Sequence, residues 1–505
     1  MACLFFACLY LHGSLRFVEA TEDVTEAENE TVATDVTDSN QNGDETLEDE
    51  TESKLITGFV TENGYTYYYD ENGEKVTGLK KIENYTYYFS STGKMLTSSF
   101  KTINGYKYYF NKSGHMVTGK KKIGDYTYYF TSTGKMVKSK FKTINGCKYY
   151  FNKSGHMVTG KKKIGDYTYY FTSTGKMVKS IFKTINGYKY YFNKSGHMVI
   201  GKKKIGDYTY YFTSTGKMVK SKFKTINGYK YYFNKSGHMV TGKKKIGDYT
   251  YYFTSTGKMV KSKFKTINGN KYYFNKSGHM VTGRKKIKGN LYYFNSKGVL
   301  YRTVYANKKM VALTYDDGPS ANTETILDTL EKYDSVATFF VVGNRVSTYS
   351  STVKRAYKMG CQIGSHTYSH TILTKVSVSK IKSEMKKTSS AIKKVTGAKP
   401  TMMRTPGGAT NSTVKNTVNM PIILWSIDTL DWKTRNANST VNSVLNNVKD
   451  GDIILMHDLY EATATASKTI IPKLIDKGYQ LVTVEEMALL RGGAEDGEVY
   501  YSFRP

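Results

Sequence analysis

The feature that most constrains the fold of this chain is an internal repeat that fills about half of its length. The decapeptide KTINGYKYYF recurs with small changes at a period of 41 residues, beginning at Lys101, Lys142, Lys183, Lys224 and Lys265. Each copy contains two related halves, INGYKYYFNKSGHMVTG and IGDYTYYFTSTGKMVKS, and the aromatic triplets mark twelve half-repeats. Such a period is typical of solenoids, in which each unit contacts only its neighbours.

The half-repeats alternate in the manner of β-strands. Tyr106, Tyr108 and Phe110 fall on one face, after which we expect a turn at 111–114 and a returning strand. A single hairpin cannot bury such an aromatic face, so neighbouring hairpins must stack on one another. We therefore predict a multidomain protein whose residues 55–302 form a β-hairpin solenoid.

After Tyr305 the repeat is replaced by apolar runs that alternate with helical patterns. MVALTYDD, VATFFVVG, IILWSIDT and DIILMHD are strand-like, and 322–333 is typical of an amphipathic helix. Repeated β-then-α units predict a parallel sheet, most simply an α/β domain with a distorted (β/α) barrel. We place this domain at 303–492, followed by a tail at 493–505.

The N-terminal residues have a different composition. Residues 2–11 are apolar over too short a stretch to span a membrane, and Val18, Glu19 and Ala20 resemble a cleavage site, so we predict a secretory signal at 1–20. Residues 21–53 hold thirteen Asp and Glu and no Lys or Arg, and we expect an acidic disordered linker at 21–54. No other stretch is apolar enough for a transmembrane segment.

The net charge of +33 belongs mainly to the repeats, since 101–141 holds nine Lys against one Asp. Such a surface predicts an acidic partner. Lys with interleaved aromatics also suits nucleic acid, but we expect no nucleic acid here because the Tyr residues are needed for packing. The four Cys are too scattered to form a disulfide framework.

The segment VALTYDDGPS raises the question of chemistry. Its apolar run predicts a buried strand that ends at Gly318 and Pro319, which places Asp316 and Asp317 at the mouth of that strand. In α/β folds the carboxyl ends of parallel strands carry active sites. We therefore expect these two carboxylates to face a cleft.

Three histidines lie outside the signal and the repeats. His366 and His370 stand in HTYSH, a spacing that can bring both imidazoles to one side of a turn. A carboxylate from another strand end would complete a set of two His and one Asp that leaves positions on a metal for water and substrate. His457 follows a further apolar run, and Arg404, Asp428 and Asp431 also follow strand-like segments.

The ordered set TYDDGP, HTYSH, RTPGG, DTLDW and LMH closely resembles the five motifs of the polysaccharide deacetylase family, the NodB-homology carbohydrate esterases, over 310–487. The resemblance implies that Asp317, His366 and His370 bind a divalent metal, usually zinc, with cobalt, nickel or manganese as alternatives. It also implies that Asp316 is the general base.

The same resemblance assigns the remaining polar residues. Arg404 would orient Asp316, His457 would be the general acid, and Asp431 would orient and tune His457. Trp432 and Leu455 would line the sugar-binding groove.

Two positions depart from the family's pattern. Tyr315 stands where the first motif usually has Phe, and Gly407 stands where the third motif usually has Tyr. The backbone N–H of Gly407 can still serve substrate, but no ring can contribute to the pocket wall there.

The repeats resemble the cell-wall-binding or choline-binding repeats of surface proteins. Both Trp residues of the chain lie outside the repeats, and a quaternary ammonium favours aromatic faces without nearby positive charge. We therefore expect an anionic wall polymer or a glycan as ligand rather than choline. The five repeat histidines (His115, His156, His197, His238 and His279) we expect at a solvated turn.

Together these features predict a secreted, wall-associated hydrolase that removes N-acetyl groups from N-acetylglucosamine residues of peptidoglycan. One alternative is a chitin or exopolysaccharide deacetylase or an acetyl-xylan esterase. Another is a non-catalytic wall-binding adhesin, whose C-terminal domain would no longer turn over substrate although it retains Asp316, Asp317, His366 and His370.

Overall fold

The computed structural model describes residues 54–505, and the predicted signal and almost all of the predicted acidic linker lie outside these residues. The described chain divides into two compact units, residues 54–140 with 151–156, and residues 141–150 with 157–505. Among residues 54–505, no helix has the length and apolar character needed to cross a bilayer. Cys147 and Cys361 are both free thiols.

The repeats fold into twelve antiparallel β-hairpins of five-residue strands, one for each predicted half-repeat. In chain order the strands are β1 (Gly58–Glu62), β2 (Tyr65–Tyr69), β3 (Gly78–Ile82), β4 (Tyr85–Phe89), β5 (Ser99–Ile103), β6 (Tyr106–Phe110), β7 (Gly119–Ile123), β8 (Tyr126–Phe130), β9 (Lys140–Ile144), β10 (Cys147–Phe151), β11 (Gly160–Ile164), β12 (Tyr167–Phe171), β13 (Ile181–Ile185), β14 (Tyr188–Phe192), β15 (Gly201–Ile205), β16 (Tyr208–Phe212), β17 (Lys222–Ile226), β18 (Tyr229–Phe233), β19 (Gly242–Ile246), β20 (Tyr249–Phe253), β21 (Lys263–Ile267), β22 (Asn270–Phe274), β23 (Gly283–Ile287) and β24 (Asn290–Phe294).

The two strands of each hairpin are joined by a turn that was not predicted, in addition to the predicted one. β5 and β6 are joined at Asn104 and Gly105, which both have positive φ (48° and 78°), as two-residue Asn-Gly hairpin turns require. The turn predicted at 111–114 is also present. After it the chain returns and forms a single antiparallel bridge between Phe110 and Met116. The signal for the first turn, Asn-Gly between two strands, was present in the sequence.

Neighbouring hairpins bury their aromatic faces against each other, as expected. Phe182 lies 4.9 Å from Tyr191 in its own hairpin and 5.1 Å from Tyr210 in the next, measured between ring centroids. The last residue of the triplet is the most buried, and Phe212 is fully excluded from solvent. Tyr208, the first residue of the same segment, remains about half exposed.

The repeat histidines lie at the predicted turn and are partly exposed, but they also make ring contacts that were not predicted. His238 stacks on Tyr208 at 3.7 Å between centroids, and the other four copies stack in the same way. At alternate hairpins a lysine ammonium takes this place, as Lys217 does 3.5 Å above Tyr188. The imidazole ring therefore covers one face of a tyrosine ring that is otherwise exposed.

The C-terminal residues alternate strands and helices. The strands are β25 (Leu300–Val304), β26 (Met310–Asp316), β27 (Thr338–Val341), β28 (Gln362–Ser365), β29 (Ile422–Ile423), β30 (Ile427–Asp428), β31 (Ile453–His457), β32 (Gln480–Leu481) and β33 (Val499–Tyr500). The helices are α1 (Ala321–Lys332), α2 (Ser350–Met359), α3 (Val378–Thr396), α4 (Ser412–Thr417), α5 (Asp431–Thr434), α6 (Ala437–Asn447), α7 (Glu461–Asp476) and α8 (Val484–Leu490), with short 3-10 turns at Gly343–Arg345, Leu373–Lys375 and Pro406–Gly408.

Six of these strands form a parallel sheet in the order β28, β27, β26, β31, β30, with β32 paired to the start of β26. Every residue of β26 is buried, as its continuous apolar run predicts for a central strand. The prediction of a parallel α/β sheet is confirmed, and closure into a barrel stays a prediction.

The last hairpin packs into the C-terminal core. Leu291 of β24 and Val304 of β25 belong to one buried cluster with Met310 and Met487. Glu486 of α8 accepts hydrogen bonds from the hydroxyl of Tyr293 and from both terminal nitrogens of Arg302, and its side chain is only 3% exposed. This hairpin is therefore continuous with the C-terminal core.

We expect Glu486→Ala to lower the free energy of unfolding of this core by about 3 kcal/mol, because it leaves a largely buried guanidinium without its partner. Urea denaturation followed by near-ultraviolet circular dichroism measures this. Glu485→Ala is the matched control, since its partner Arg284 is exposed, and it should cost less than about 1 kcal/mol. Equal losses in the two variants would contradict this account of the junction.

Candidate active site

The predicted site residues meet at the carboxyl edge of the parallel sheet. β26 ends at Asp316 and β31 ends at His457, and the two residues are partners in the strand register. His366 directly follows β28, and Arg404 follows Met403, which bridges Ser365 to Ile422. Four separate chain segments therefore bring their polar side chains to one edge.

Asp317, His366 and His370 converge on one point. The Nε2 atoms of His366 and His370 lie 3.2 Å and 3.0 Å from Oδ1 of Asp317. This oxygen is buried and has no hydrogen-bond partner of acceptable geometry among the described residues. An orphaned carboxylate oxygen between two imidazole nitrogens fits a divalent cation, and the set leaves further coordination positions open.

Protonation also suits a metal at this point. Burial by itself raises the pKa of Asp317, but the two adjacent imidazoles outweigh it and hold the pKa well below its ordinary value. Asp317 is therefore an anion at neutral pH, as a ligand must be.

Local backbone geometry and hydrogen bonds direct the ligands. The Nδ1 atom of His366 lies 2.8 Å from the carbonyl oxygen of Arg404, which fixes the ring so that Nε2 faces Asp317. Asp317 and His370 have φ values of 67° and 56°, a left-handed conformation that costs non-glycine residues about 1 kcal/mol or more. The surrounding structure must hold both residues in place.

Glu384 of α3 supports the histidine loop. Its carboxylate accepts hydrogen bonds from the backbone N–H groups of Tyr368 (2.8 Å) and Ser369 (2.9 Å), and the residue is 1% exposed. Sequence reasoning missed this residue, because a Glu in an amphipathic helix gives no signal of a contact with a loop fifteen residues earlier.

Asp316 is held by a fully buried arginine. The Nη1 atom of Arg404 donates to Oδ1 of Asp316 at 2.9 Å and to the hydroxyl of Thr314 at 2.7 Å. Burial lowers the pKa of Arg404, and the charge of Asp316 opposes that shift. The second oxygen of Asp316 takes no part in this pairing and lies 3.9 Å from Nε2 of His366.

His457 is paired with Asp431. Its Nδ1 lies 2.8 Å from Oδ1 of Asp431, whose other oxygen accepts from the backbone N–H of His457 and from the hydroxyl of Thr463. Burial by itself lowers the pKa of His457, but the hydrogen bond and charge of Asp431 raise it above its ordinary value. The carboxylates of Asp316 and Asp317 raise it further.

A cavity of about 450 Å³ is lined by the predicted base, acid and metal ligands, namely Asp316, His457, Asp317, His366 and His370. The three residues predicted to contact sugar, Gly407, Trp432 and Leu455, all lie in its wall, and Trp432 is 45% exposed. The cavity wall also contains four further residues, namely Thr405, Trp425, Asp428 and Tyr460. Of these, Tyr460 carried no signal in the sequence, because it follows the last motif by three residues and belongs to no pattern.

Three motif residues, Tyr315, Gly318 and Gly407, have local environments that fit the residue types found there. A side chain at Gly318 would collide with the carboxylate of Asp458, whose oxygens lie 2.2 Å and 2.3 Å from the position of a Cβ atom. Gly407 has a φ of 65°, so the ring expected there from the family's pattern is replaced by a residue that adopts this conformation without strain. Tyr315 is fully buried, and its hydroxyl bonds to Ser467 at 2.9 Å.

Comparisons with known proteins agree with the motifs. Residues 303–420 match the family described as Polysaccharide deacetylase, and nine overlapping segments between residues 56 and 303 match the Choline-binding repeat. A peptidoglycan-N-acetylglucosamine deacetylase of Bacillus cereus is 36% identical over 190 residues, which are 36% of this chain and 89% of that relative. The chain belongs to the polysaccharide deacetylase family.

Two longer relatives are more similar in sequence. The peptidoglycan-N-acetylmuramic acid deacetylase PdaC of Bacillus subtilis is 45% identical over 186 residues, 37% of this chain and 40% of the relative. The peptidoglycan-N-acetylglucosamine deacetylase PgdA of Listeria monocytogenes is 44% identical over 180 residues, 35% of this chain and 39% of the relative. This chain thus spans about two fifths of the length of both.

We expect His366→Ala to weaken zinc binding more than about 100-fold, since it removes a direct ligand. Calorimetric titration of zinc into chelator-treated protein measures the affinity. Asp316→Asn is the control, because Asp316 is paired with Arg404 and should leave affinity within about tenfold of the wild type. Wild-type affinity in His366→Ala would remove this residue from the ligand set.

We expect Asp431→Asn to lower the pKa of His457, because it removes the charge that raises this pKa. The protonated imidazole should then be lost at a lower pH than in the wild type, as a proton NMR titration of the ring would show. Asp428→Asn is the control, since Asp428 lines the same cavity and its carboxylate bonds to Leu430 rather than to His457. An unchanged titration of His457 in Asp431→Asn would contradict the pairing.

Proposed function

We propose that this protein is a metal-dependent N-deacetylase that removes acetyl groups from N-acetylglucosamine residues of peptidoglycan. The observation that carries the proposal is the meeting of Asp317, His366 and His370 around one point, with Asp316 on one side and His457 nearby. The sequence similarity to peptidoglycan deacetylases supports the choice of polymer.

In this proposal Asp317, His366 and His370 hold the metal, most often zinc in such sites and alternatively cobalt, nickel or manganese. A divalent metal in such a site lowers the pKa of water and polarises a carbonyl group. The chain's own residues position the acetamide and move the protons.

Asp316 acts as the general base. Arg404 occupies one oxygen of its carboxylate, so the other oxygen is available to take a proton from the attacking water. The water oxygen bonds to the acetamide carbonyl carbon, and the backbone N–H of Gly407 donates to the oxyanion that develops there.

His457 acts as the general acid. Asp431 accepts from Nδ1, which leaves Nε2 to donate to the amide nitrogen as the carbon–nitrogen bond breaks. The raised pKa of His457 keeps this proton available near neutral pH. The products are acetate and a free amine on the sugar, and Trp432 and Leu455 hold the ring of that sugar.

We also propose the domain division set out from the sequence, with a repeat array at 55–302, a deacetylase domain at 303–492 and a tail at 493–505. The bridges of Met403 to Ser365 and Ile422 support a distorted (β/α) barrel, because they extend the parallel sheet from β28 toward β29. The signal and linker predictions, at 1–20 and 21–54, make this a secreted protein.

The repeat array would hold the enzyme at the cell wall. Its many copies can each bind weakly and together raise the local concentration of substrate. The tyrosine faces at alternate hairpins already carry a lysine ammonium, as at Tyr188 and Tyr229, which favours an anionic polymer or a glycan over choline.

We expect the protein to release acetate from purified peptidoglycan, to lose this activity with a chelator and to regain it with zinc. Asp316→Asn should lower kcat about 100-fold or more while zinc stays bound, because it removes the base. Enzymatic measurement of acetate is the readout.

The outcomes separate the alternatives. Release only from chitin oligomers or acetylated xylan would assign the domain to those polymers. No release from any of them by zinc-loaded protein would favour a non-catalytic wall-binding protein. Full activity in Asp316→Asn would exclude Asp316 as the base.

A further inference from the structure

A second cavity adjoins the candidate active site. It has a volume of about 530 Å³ and shares Asp317 and His370 with the first cavity. Its remaining wall comes mainly from residues 342–349, the segment that links β27 to α2. The two cavities therefore meet at the same pair of candidate metal ligands.

Arg345 is the cationic residue of the second cavity. Its Nε donates to the carbonyl oxygen of Pro319 at 3.0 Å, two residues from Asp317. Among residues 54–505 the two terminal nitrogens of its guanidinium have no hydrogen-bond partner, and the group lies 6.0 Å from the ring centroid of Tyr349. The side chain is half buried and lines the cavity. Because its Nε is held by Pro319, its two terminal nitrogens are available as donors to a ligand there.

The turn that carries Arg345 is tied to both metal-ligand loops. The backbone N–H groups of Gly343 and Asn344 donate to the carbonyl oxygens of Thr367 and Tyr368, each at 2.9 Å. Val342 donates in the same way to Gly318 at 2.9 Å. The guanidinium is thus placed relative to Asp317 and His370 by backbone hydrogen bonds rather than by a flexible loop.

The two cavities differ in charge. None of the described Lys and Arg residues lines the first cavity, whose wall holds Trp425, Trp432 and Asp428 and suits the apolar face of a neutral sugar. The second cavity presents an arginine and the polar groups of Asn344 and Thr348. An arginine with two free donors in fork geometry matches a carboxylate.

We propose that the second cavity binds a carboxylate-bearing substituent on the sugar next to the one that is deacetylated, with Arg345 as its specificity-determining residue. The inference rests on the proposed function and deepens it, because it names the substrate class as a glycan that alternates neutral and acidic sugars. In peptidoglycan the muramic acid residues carry such a group, either on the lactyl ether itself or on the peptide attached to it.

The test compares three soluble substrates with the full chain loaded with zinc. These are a neutral N-acetylglucosamine tetramer, an alternating tetramer with free lactyl carboxylates, and the same tetramer with peptides attached. Acetate release gives kcat/KM, and calorimetry with the same oligomers gives Kd without relying on turnover. The two acidic substrates distinguish the lactyl carboxylate from the peptide carboxylates.

We expect Arg345→Gln to lower the ratio of kcat/KM for an acidic substrate over the neutral one about tenfold, as for a lost hydrogen bond to a charged group. The ratio of the Kd values should change in the same sense. Arg345→Lys keeps the charge but not the two parallel donors, so its ratios should lie between those of the wild type and those of Arg345→Gln. Lys354→Gln removes the same charge from the neighbouring cavity, and its ratios should equal those of the wild type.

A uniform fall for all three substrates in Arg345→Gln would show a role only in supporting the loop at Pro319, and unchanged ratios would show no role; both results overturn the proposal. Thermal unfolding of each variant checks that the fold is retained. If wild-type protein releases no acetate from any substrate, the proposed function fails, while the Kd ratios still decide whether Arg345 recognises the carboxylate.

Discussion

The candidate active site depends on the buried guanidinium of Arg404. This side chain is fully excluded from solvent and bonds to Asp316 and Thr314 of β26 and to the carbonyl oxygens of Ile423 and Leu424. Its own carbonyl oxygen fixes the ring of His366. One residue therefore sets the orientation of the proposed base and of a proposed metal ligand. Removing it would leave a buried carboxylate unpaired, a change that costs several kcal/mol in other proteins.

The repeats and the C-terminal residues are stabilised by different means. Each hairpin buries one aromatic face against its neighbours and presents lysines elsewhere, so its stability comes from short-range contacts that recur along the array. The parallel sheet depends on strand pairings between distant segments, such as β26 with β31. The repeat hairpins join the C-terminal core at β24 and β25, where Glu486 accepts hydrogen bonds from Tyr293 and Arg302. This junction makes the last hairpin part of the C-terminal core.

The relatives at 45% and 44% identity act on different sugars of peptidoglycan by their names, one on N-acetylmuramic acid and one on N-acetylglucosamine. Overall similarity therefore does not separate the two sugars. The aromatic cavity around Trp432 and the arginine cavity around Arg345 differ in chemistry. In our proposal the first holds the neutral sugar ring and the second holds the acidic substituent.

The sequence by itself determined the hairpin repeats, the parallel α/β domain and the three residues that converge at the candidate metal site, because periodicity and strand-end motifs are local signals. It did not predict the Asn-Gly turn at 104–105 or the stacking of the repeat histidines on tyrosine rings. It could not identify Glu384, Tyr460 or Arg345, since each acts through contacts with segments distant in sequence. Only the tertiary structure decided those contacts, because the pairing of strands and the close packing of loops bring together side chains that no local pattern connects.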